Sequence, residues 1–304
     1  MPLTLRDRVV GSILGSALGD ALGMPIEGLS HINVRTYYKG IKAMRADEKR
    51  KDLQAGQFTA DTQRARALTR ALTSAPPDSP EAARQAFAVE LAGLTDLRRG
   101  DIHASPSAMP AASAVALGVI ARLRGLREIA LARWAALLFA PIDPHPVAHV
   151  AAAAQAGAIR AALEVDVDEM DGTAILARAF ATAQDAERIL RADGLVSRRL
   201  DGLVTRLQEF PLDLQDRCNG TGSAADEAFP YAVAMGTRGV GLAEATLLSA
   251  INVGGDAAAI GAMTGALVGA VHGAEAFPAE WVETLEDAEA IRAEAHALMD
   301  AVDG

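Results

Sequence analysis

A single cysteine, Cys218, stands among 304 residues, so no intrachain disulfide can form and a cross-linked scaffold is excluded. A reducing cytoplasm is the compartment expected. Aromatic residues are also scarce, at 4% against 50% for apolar residues as a whole, so the core must be filled with short side chains. Alanine runs such as Ala151–Ala154 point to closely packed helices. Positive charge is in deficit: 29 Lys and Arg against 39 Asp and Glu leave a formal charge of −10. With no Lys/Arg cluster to offset that charge, the surface repels a phosphate backbone, and nucleic acid is not expected as a partner. Long apolar runs are missing too. Val9 to Ile26 comes nearest, but Asp20 interrupts it and a membrane span needs roughly 20 apolar residues. Asp7 between Arg6 and Arg8, with no small-residue cleavage site behind the run, argues against a signal peptide. The run reads as a buried helix, and no membrane partner is expected.

What is present is helical periodicity. Apolar residues recur at helix spacing over Leu5–Leu22, Thr62–Leu72, Ala82–Leu94, Ala112–Leu123, Ile129–Phe139, Val147–Leu163 and Ile175–Leu190. They do so again over Val196–Leu207, Glu227–Met235, Ala243–Ile251, Ile260–Val271 and Glu286–Met299. No segment alternates as a strand would. Turn chemistry separates the helices, as in Ala140-Pro141-Ile142-Asp143-Pro144 and Asn219-Gly220-Thr221-Gly222. The expected fold is all-α, one compact multi-helix domain over residues 1–304. Ser30 to Gln57, charged around Glu48–Asp52, is the segment expected to be a mobile loop.

Glycine recurs every fourth residue in two of these helices: Gly11, Gly15, Gly19 and Gly23, then Gly261, Gly265, Gly269 and Gly273. Such spacing leaves a smooth ridge on one helix face. Each interior glycine costs about 1 kcal/mol relative to alanine, so two ridges require a structural reason, and close backbone approach supplies it. Packing of the ridges against each other, or against neighbours at the centre of the fold, would bring the chain ends together. If the two helices run antiparallel, Asp20 and Glu27 at the end of the first meet Gly254-Gly255-Asp256 at the start of the second. Phe58-Thr59-Ala60-Asp61-Thr62 opens a third helix with more oxygen ligands, the kind Mg²⁺ favours. Taken singly, Thr59 and Asp256 read more simply as N-caps, with Asp61 in a first turn. Asp20 is different, because a carboxylate in a glycine-ridged apolar helix requires a hydrogen-bond donor or a cation.

These motifs resemble those of the ADP-ribosylglycohydrolases. The family's Gly-x3-Gly-x3-Gly-Asp-Ala-x-Gly-x-Pro-x-Glu is matched by Gly11, Gly15 and Gly19-Asp20-Ala21-Leu22-Gly23-Met24-Pro25-Ile26-Glu27. Its Thr-Asp-Asp-Thr appears as Thr59-Ala60-Asp61-Thr62, one aspartate short. Its Gly-Gly-Asp-Thr-Asp-Thr-x-Gly appears as Gly254-Gly255-Asp256-Ala257-Ala258-Ala259-Ile260-Gly261, three oxygen-bearing side chains short. Asp143-Pro144-His145-Pro146 resembles the family's His-containing turn, and Thr221-Gly222-Ser223 leading to Phe229-Pro230-Tyr231-Ala232 resembles its Thr-Gly…Pro-Ala segment. Of a substrate-contacting Asn-Gly-x-x-Met-Arg-x-x-Pro stretch, only Met109 survives, within Ser105–Ser113.

The resemblance implies the all-α fold of that family and an ADP-ribose-containing small molecule or ADP-ribosylated protein as partner. It implies two Mg²⁺ or Mn²⁺ ions orienting ribose hydroxyls while water attacks the anomeric carbon. By position it makes Glu27, Asp61 and Asp256 catalytic candidates and Thr59, Asp61 and Asp256 metal ligands. Asp20, His145, Met109, Gly254 and Gly255 fall on the substrate side. Charge argues against a full pair of ions here, because four positive charges would face a reduced set of carboxylates. A single weakly bound ion, or none, is expected. Two functions follow: hydrolysis of an ADP-ribosyl or related N- or O-glycosidic bond with an altered Mg or Mn site, or a non-catalytic relative that binds ADP-ribose or a partner protein. Other constellations carry less. His145 and His149 are four apart without the glutamate of a zinc-protease pattern, Cys218 has no neighbouring base, and Gly236, Gly239 and Gly241 follow no strand.

Overall fold

The computed structural model describes residues 3–76, 78–99, 105–165, 172–238 and 242–303, and Gly239 and Gly241 lie outside them. Among the described residues there is no β-strand, only isolated bridges pairing Ser30 with Gly254 and Ser107 with Ala224. The α-helices are α1 (Leu5–Gly23), α2 (His31–Asn33), α3 (Ala60–Ser74), α4 (Pro80–Ala92), α5 (Met109–Ala112), α6 (Val115–Leu123), α7 (Glu128–Phe139) and α8 (Pro146–Ala162). They continue as α9 (Gly172–Leu190), α10 (Leu195–Leu200), α11 (Pro211–Arg217), α12 (Ala225–Arg238), α13 (Ala243–Ile251), α14 (Ala257–His272), α15 (Ala279–Thr284) and α16 (Ala288–Asp303).

The centre is the α1/α14 pair. A Cβ built on Gly19 would lie 1.9 Å from the Gly261 carbonyl oxygen, and one on Gly269 would lie 1.9 Å from that of Gly11. Gly15 meets Gly265, and Gly23 meets Ala257, so the helices run antiparallel with backbones in direct contact. The ridges therefore pack against each other. Alanine and glycine let the helices touch, and the Ser12 hydroxyl adds a bond to the Ala266 carbonyl at 2.9 Å. The 22-residue stretch Leu5–Ile26 is long and apolar enough to cross a membrane by length and composition, yet its apolar part, from Arg8 to Ile26, is buried inside the protein. Around this pair, α12 and α13 cover α14, α16 braces α1 and α3, and α8 links α5, α6, α7 and α9.

Residues 30–57 are more structured than their composition predicts. After α2 comes a π-helical turn, Val34–Tyr38, that ends in left-handed Lys39 and Gly40. The Asn252 side chain then clamps Ile41, accepting from its N–H at 2.6 Å and donating to its carbonyl at 3.0 Å. Apolar periodicity cannot reveal such a segment, because its order comes from polar side chains of distant elements.

Candidate functional site

Antiparallel packing carries the last residues of α1 and the first residues of α14 to one end of the molecule, and the N-terminus of α3 joins them there. Asp20 is fully buried and fastens the joint. Its carboxylate accepts from the Thr59 N–H at 3.0 and 3.1 Å, the Thr59 hydroxyl at 3.2 Å, the Thr62 N–H at 3.0 Å and the Thr62 hydroxyl at 2.6 Å. The donor required by sequence reasoning is thus the first turn of α3. Burial raises the Asp20 carboxyl to about 6, with the threonine donors opposing the rise.

Asp61 and Asp256 stand beside this bracket, each about 7% exposed. Asp256 caps α14, accepting from the Ala259 N–H at 3.4 Å, while its own N–H donates to the Thr221 carbonyl at 2.7 Å. Burial and then the negative charge of Glu27 raise its carboxyl to about 7, against the Ala259 N–H. Asp61 is raised well above the ordinary range by burial and by the charges of Asp20 and Asp256, with Arg64 opposing. Four carboxylates therefore share one weakly screened end of the fold. Buried carboxylates whose charge is costly are what make this end of the fold the candidate site.

Gly254 and Gly255 shape the turn into α14. Both are left-handed, with φ of 85° and 77°, and a Cβ would lie 2.2 Å from the Leu29 carbonyl oxygen at Gly254 and 2.0 Å from that of Thr221 at Gly255. Mutual bonds of 2.8 Å, Gly28 N–H to the Gly255 carbonyl and Gly255 N–H to the Leu29 carbonyl, tie this turn to the end of α1. The two glycines thus set Asp256 in place through the backbone.

Arginines are the residues beside the candidate site that sequence reasoning missed. Glu27 Oε2 accepts from Arg99 Nη1 at 3.0 Å and Arg50 Nη1 at 3.3 Å. Arg99 also donates to Asp52 at 2.7 and 3.0 Å, to Asp47, and to the Met24 carbonyl at 2.6 Å. Its guanidinium thus gathers Glu27, Asp47 and Asp52 beside the site. Arg64 lies one turn along α3 from Asp61, is buried, and places Nη1 3.2 Å from the Met109 sulfur. The i, i+3 spacing from Asp61 was its available signal. Arg99, in a loop after α4, offered none.

Met109 begins α5 in a segment held by Asp143, which accepts from the Ser105 hydroxyl at 2.7 Å and the Ser107 N–H at 2.8 Å. The same carboxylate takes the His145 N–H at 2.9 Å. His145 itself is exposed at the N-cap of α8, with Nδ1 accepting from the Val147 N–H at 3.2 Å. His149 is buried and bonds the Asp143 carbonyl at 2.7 Å, so the two histidines serve different local partners. Cys218 is buried, and its thiol is pushed up to about 12, far from a thiolate nucleophile.

The donor set does not fit a pair of divalent ions. Asp20 is saturated by four donors, and the Thr59 hydroxyl is committed to Asp20 while accepting from the Asp61 N–H at 3.3 Å. Where the resemblance calls for further oxygens stand the buried methyl groups of Ala60, Ala257, Ala258 and Ala259. Among the described residues no three His, Cys, Asp or Glu side chains are grouped to hold an ion. Arg64 supplies positive charge of its own.

Comparison with known proteins places this geometry. An uncharacterised protein of Archaeoglobus fulgidus is 26% identical over 305 residues, covering 94% of this chain and 93% of that one. A solved structure described as an ADP-ribosylglycohydrolase-related protein complex superposes with a TM-score of 0.68 at 24% identity, over 98% of this chain and 99% of that one, and so shares the fold. The profile of the ADP-ribosylglycohydrolase family, whose members act on ADP-ribosylated substrates and generally depend on divalent metal, matches residues 1–304. With that match across its whole length, this chain belongs to the ADP-ribosylglycohydrolase family.

Proposed function

We propose that this protein binds an ADP-ribosyl group at the face formed by Asp61 and Asp256 and is a binding relative of the family's hydrolases, without two-metal catalysis. One observation carries the reading: side-chain oxygens are missing at Ala60, Ala257, Ala258 and Ala259, those of Asp20 and Thr59 are already bonded, and only Asp61 and Asp256 remain to face two ions, with the positive charge of Arg64 acting on Asp61. Ionised or protonated, Asp61 and Asp256 can hydrogen-bond ribose hydroxyls, which need acceptors and donors but no metal. Glu27 is held between Arg99 and Arg50, an arrangement suited to fixing a carboxylate rather than freeing it for proton transfer.

A weakly active hydrolase with one ion is the second reading. It draws on the single long bond, 3.4 Å, recorded for the Asp256 carboxylate, which leaves lone pairs available. One series of measurements separates the two. Under the binding reading, ADP-ribose raises the melting temperature in the presence of chelator, Asp256→Ala abolishes that rise, and ADP-ribosylated protein releases no ADP-ribose with Mg²⁺ or Mn²⁺. Calorimetry showing two tightly bound divalent ions, together with metal-dependent release, would overturn it.

A further inference from the structure

All four lysines of the chain, Lys39, Lys42, Lys49 and Lys51, fall within one short segment of a protein whose formal charge is −10. The composition-level expectation of no cationic cluster is corrected by what the backbone does with two of them. The π-helical turn and the left-handed pair Lys39-Gly40 fold Lys39 and Lys42 back toward α2, where they line a cleft of about 390 Å³ together with His31 and Arg35. Leu248, Ser249 and Asn252 of the facing element form its other wall, and among the described residues no carboxylate lines it.

Exposed cations without an ion pair, such as Lys49, Lys51, Arg127, Arg133, Arg191 and Arg198, occur elsewhere on the described surface, but this cleft draws three such cations into one concavity. Arg45, Arg50, Arg66, Arg70, Arg98 and Arg99 each sit within ion-pair distance of an acid. Among the described residues, Arg35, Lys39 and Lys42 are exposed and make no ion pair, although acids outnumber bases overall. Three like charges converging on one concavity repel each other, and among the described residues no acid pairs with them. An anion would. The size suits a small molecule, since ligand clefts start near roughly 300 Å³. Arginine and lysine together are the usual means of holding phosphoryl oxygens.

We propose that this cleft is a second ligand site, one that takes the pyrophosphate group of a phosphorylated small molecule. Its lining includes neither Asp61 nor Asp256, and it does not depend on the function proposed for the face those two residues form. The two are joined physically: Asn252, which forms part of the cleft, clamps Ile41, and two residues later Gly254 pairs with Ser30 at the turn into Asp256.

The test is titration calorimetry of the full chain with inorganic pyrophosphate at low ionic strength. The wild type is expected to bind, and Lys39→Glu/Lys42→Glu to bind at least tenfold more weakly with an unchanged melting temperature, because both side chains are solvent-exposed. Lys42→Arg should retain binding, and Asp256→Ala should leave it intact. The proposal falls if the wild type does not bind, or if the doubly reversed variant binds as well. It also falls if sulfate at matched ionic strength displaces pyrophosphate completely, which would mean an adventitious ion only. Loss of binding in Asp256→Ala would place the pyrophosphate at the other face and overturn it as well.

Discussion

Asp256→Asn tests whether the acidic cluster is under electrostatic load with no metal to relieve it. Asparagine caps a helix about as well as aspartate, so the substitution leaves the start of α14 intact and removes only charge. The Asp256 carboxyl is raised from 3.8 to about 7 in the folded protein. Each unit of that rise is worth about 1.4 kcal/mol, and because neighbouring groups share the strain the whole effect is on the order of 2 to 4 kcal/mol. The direction follows from proton binding. Between pH 4 and 7 the folded state holds a proton that the unfolded chain has released, so the wild type loses stability as pH rises through this window and levels off above it. The advantage of Asp256→Asn should therefore be near zero at pH 4, grow through pH 6 and be complete by pH 8. Urea denaturation at these three values, in chelator, reads it directly. An Asn variant less stable than wild type at pH 8 would show that a favourable partner compensates the charge, and the reasoning would fail.

Three further outcomes follow from the geometry. Gly19→Ala places a methyl group 1.9 Å from the Gly261 carbonyl oxygen and should destabilise by about 3 kcal/mol despite alanine's better helix propensity, while Gly93→Ala, whose Cβ meets nothing closer than 3.3 Å, should change little; equal denaturation midpoints for the two would contradict direct backbone contact. Asp20→Ala strands two backbone N–H groups and two hydroxyls at the start of α3, at a cost of about 3 kcal/mol, and amide exchange at Thr59 and Thr62 should accelerate with it. Arg99→Ala leaves Glu27 and the buried Asp47 without their shared cation, so a loss of about 3 kcal/mol is expected, with Arg99→Lys recovering only part because lysine cannot reach all its partners at once.

Much of the fold was legible because its cause is local. Helical spacing located α1, α7, α8, α9, α13 and α16 to within a few residues, and the glycine ridges announced the central pair. Short elements escaped notice: α2 with its π-helical turn, α11 and α15 are stabilised by neighbours more than by their own periodicity. Within the site, Asp20, Glu27, Asp61 and Asp256 were found from motif order. Their surroundings were not, because the partners come from residues tens to hundreds of positions away, such as Arg99 for Glu27 and Thr221 for Asp256.

The sequence by itself determined that two glycine-ridged helices lie at the centre and which acids stand at their ends, since side-chain volume at four-residue spacing decides how closely backbones can approach. It also determined that oxygens are missing at Ala60, Ala257, Ala258 and Ala259. Only the tertiary structure decided what the remaining oxygens do. It bonds Asp20 to Thr59 and Thr62, pairs Glu27 with Arg99 and Arg50, sets Arg64 beside Asp61, and gathers Arg35, Lys39 and Lys42 around one cleft. Charge interactions act through space, at distances that depend on how helices remote in the chain are packed, and no residue pattern along the chain encodes them.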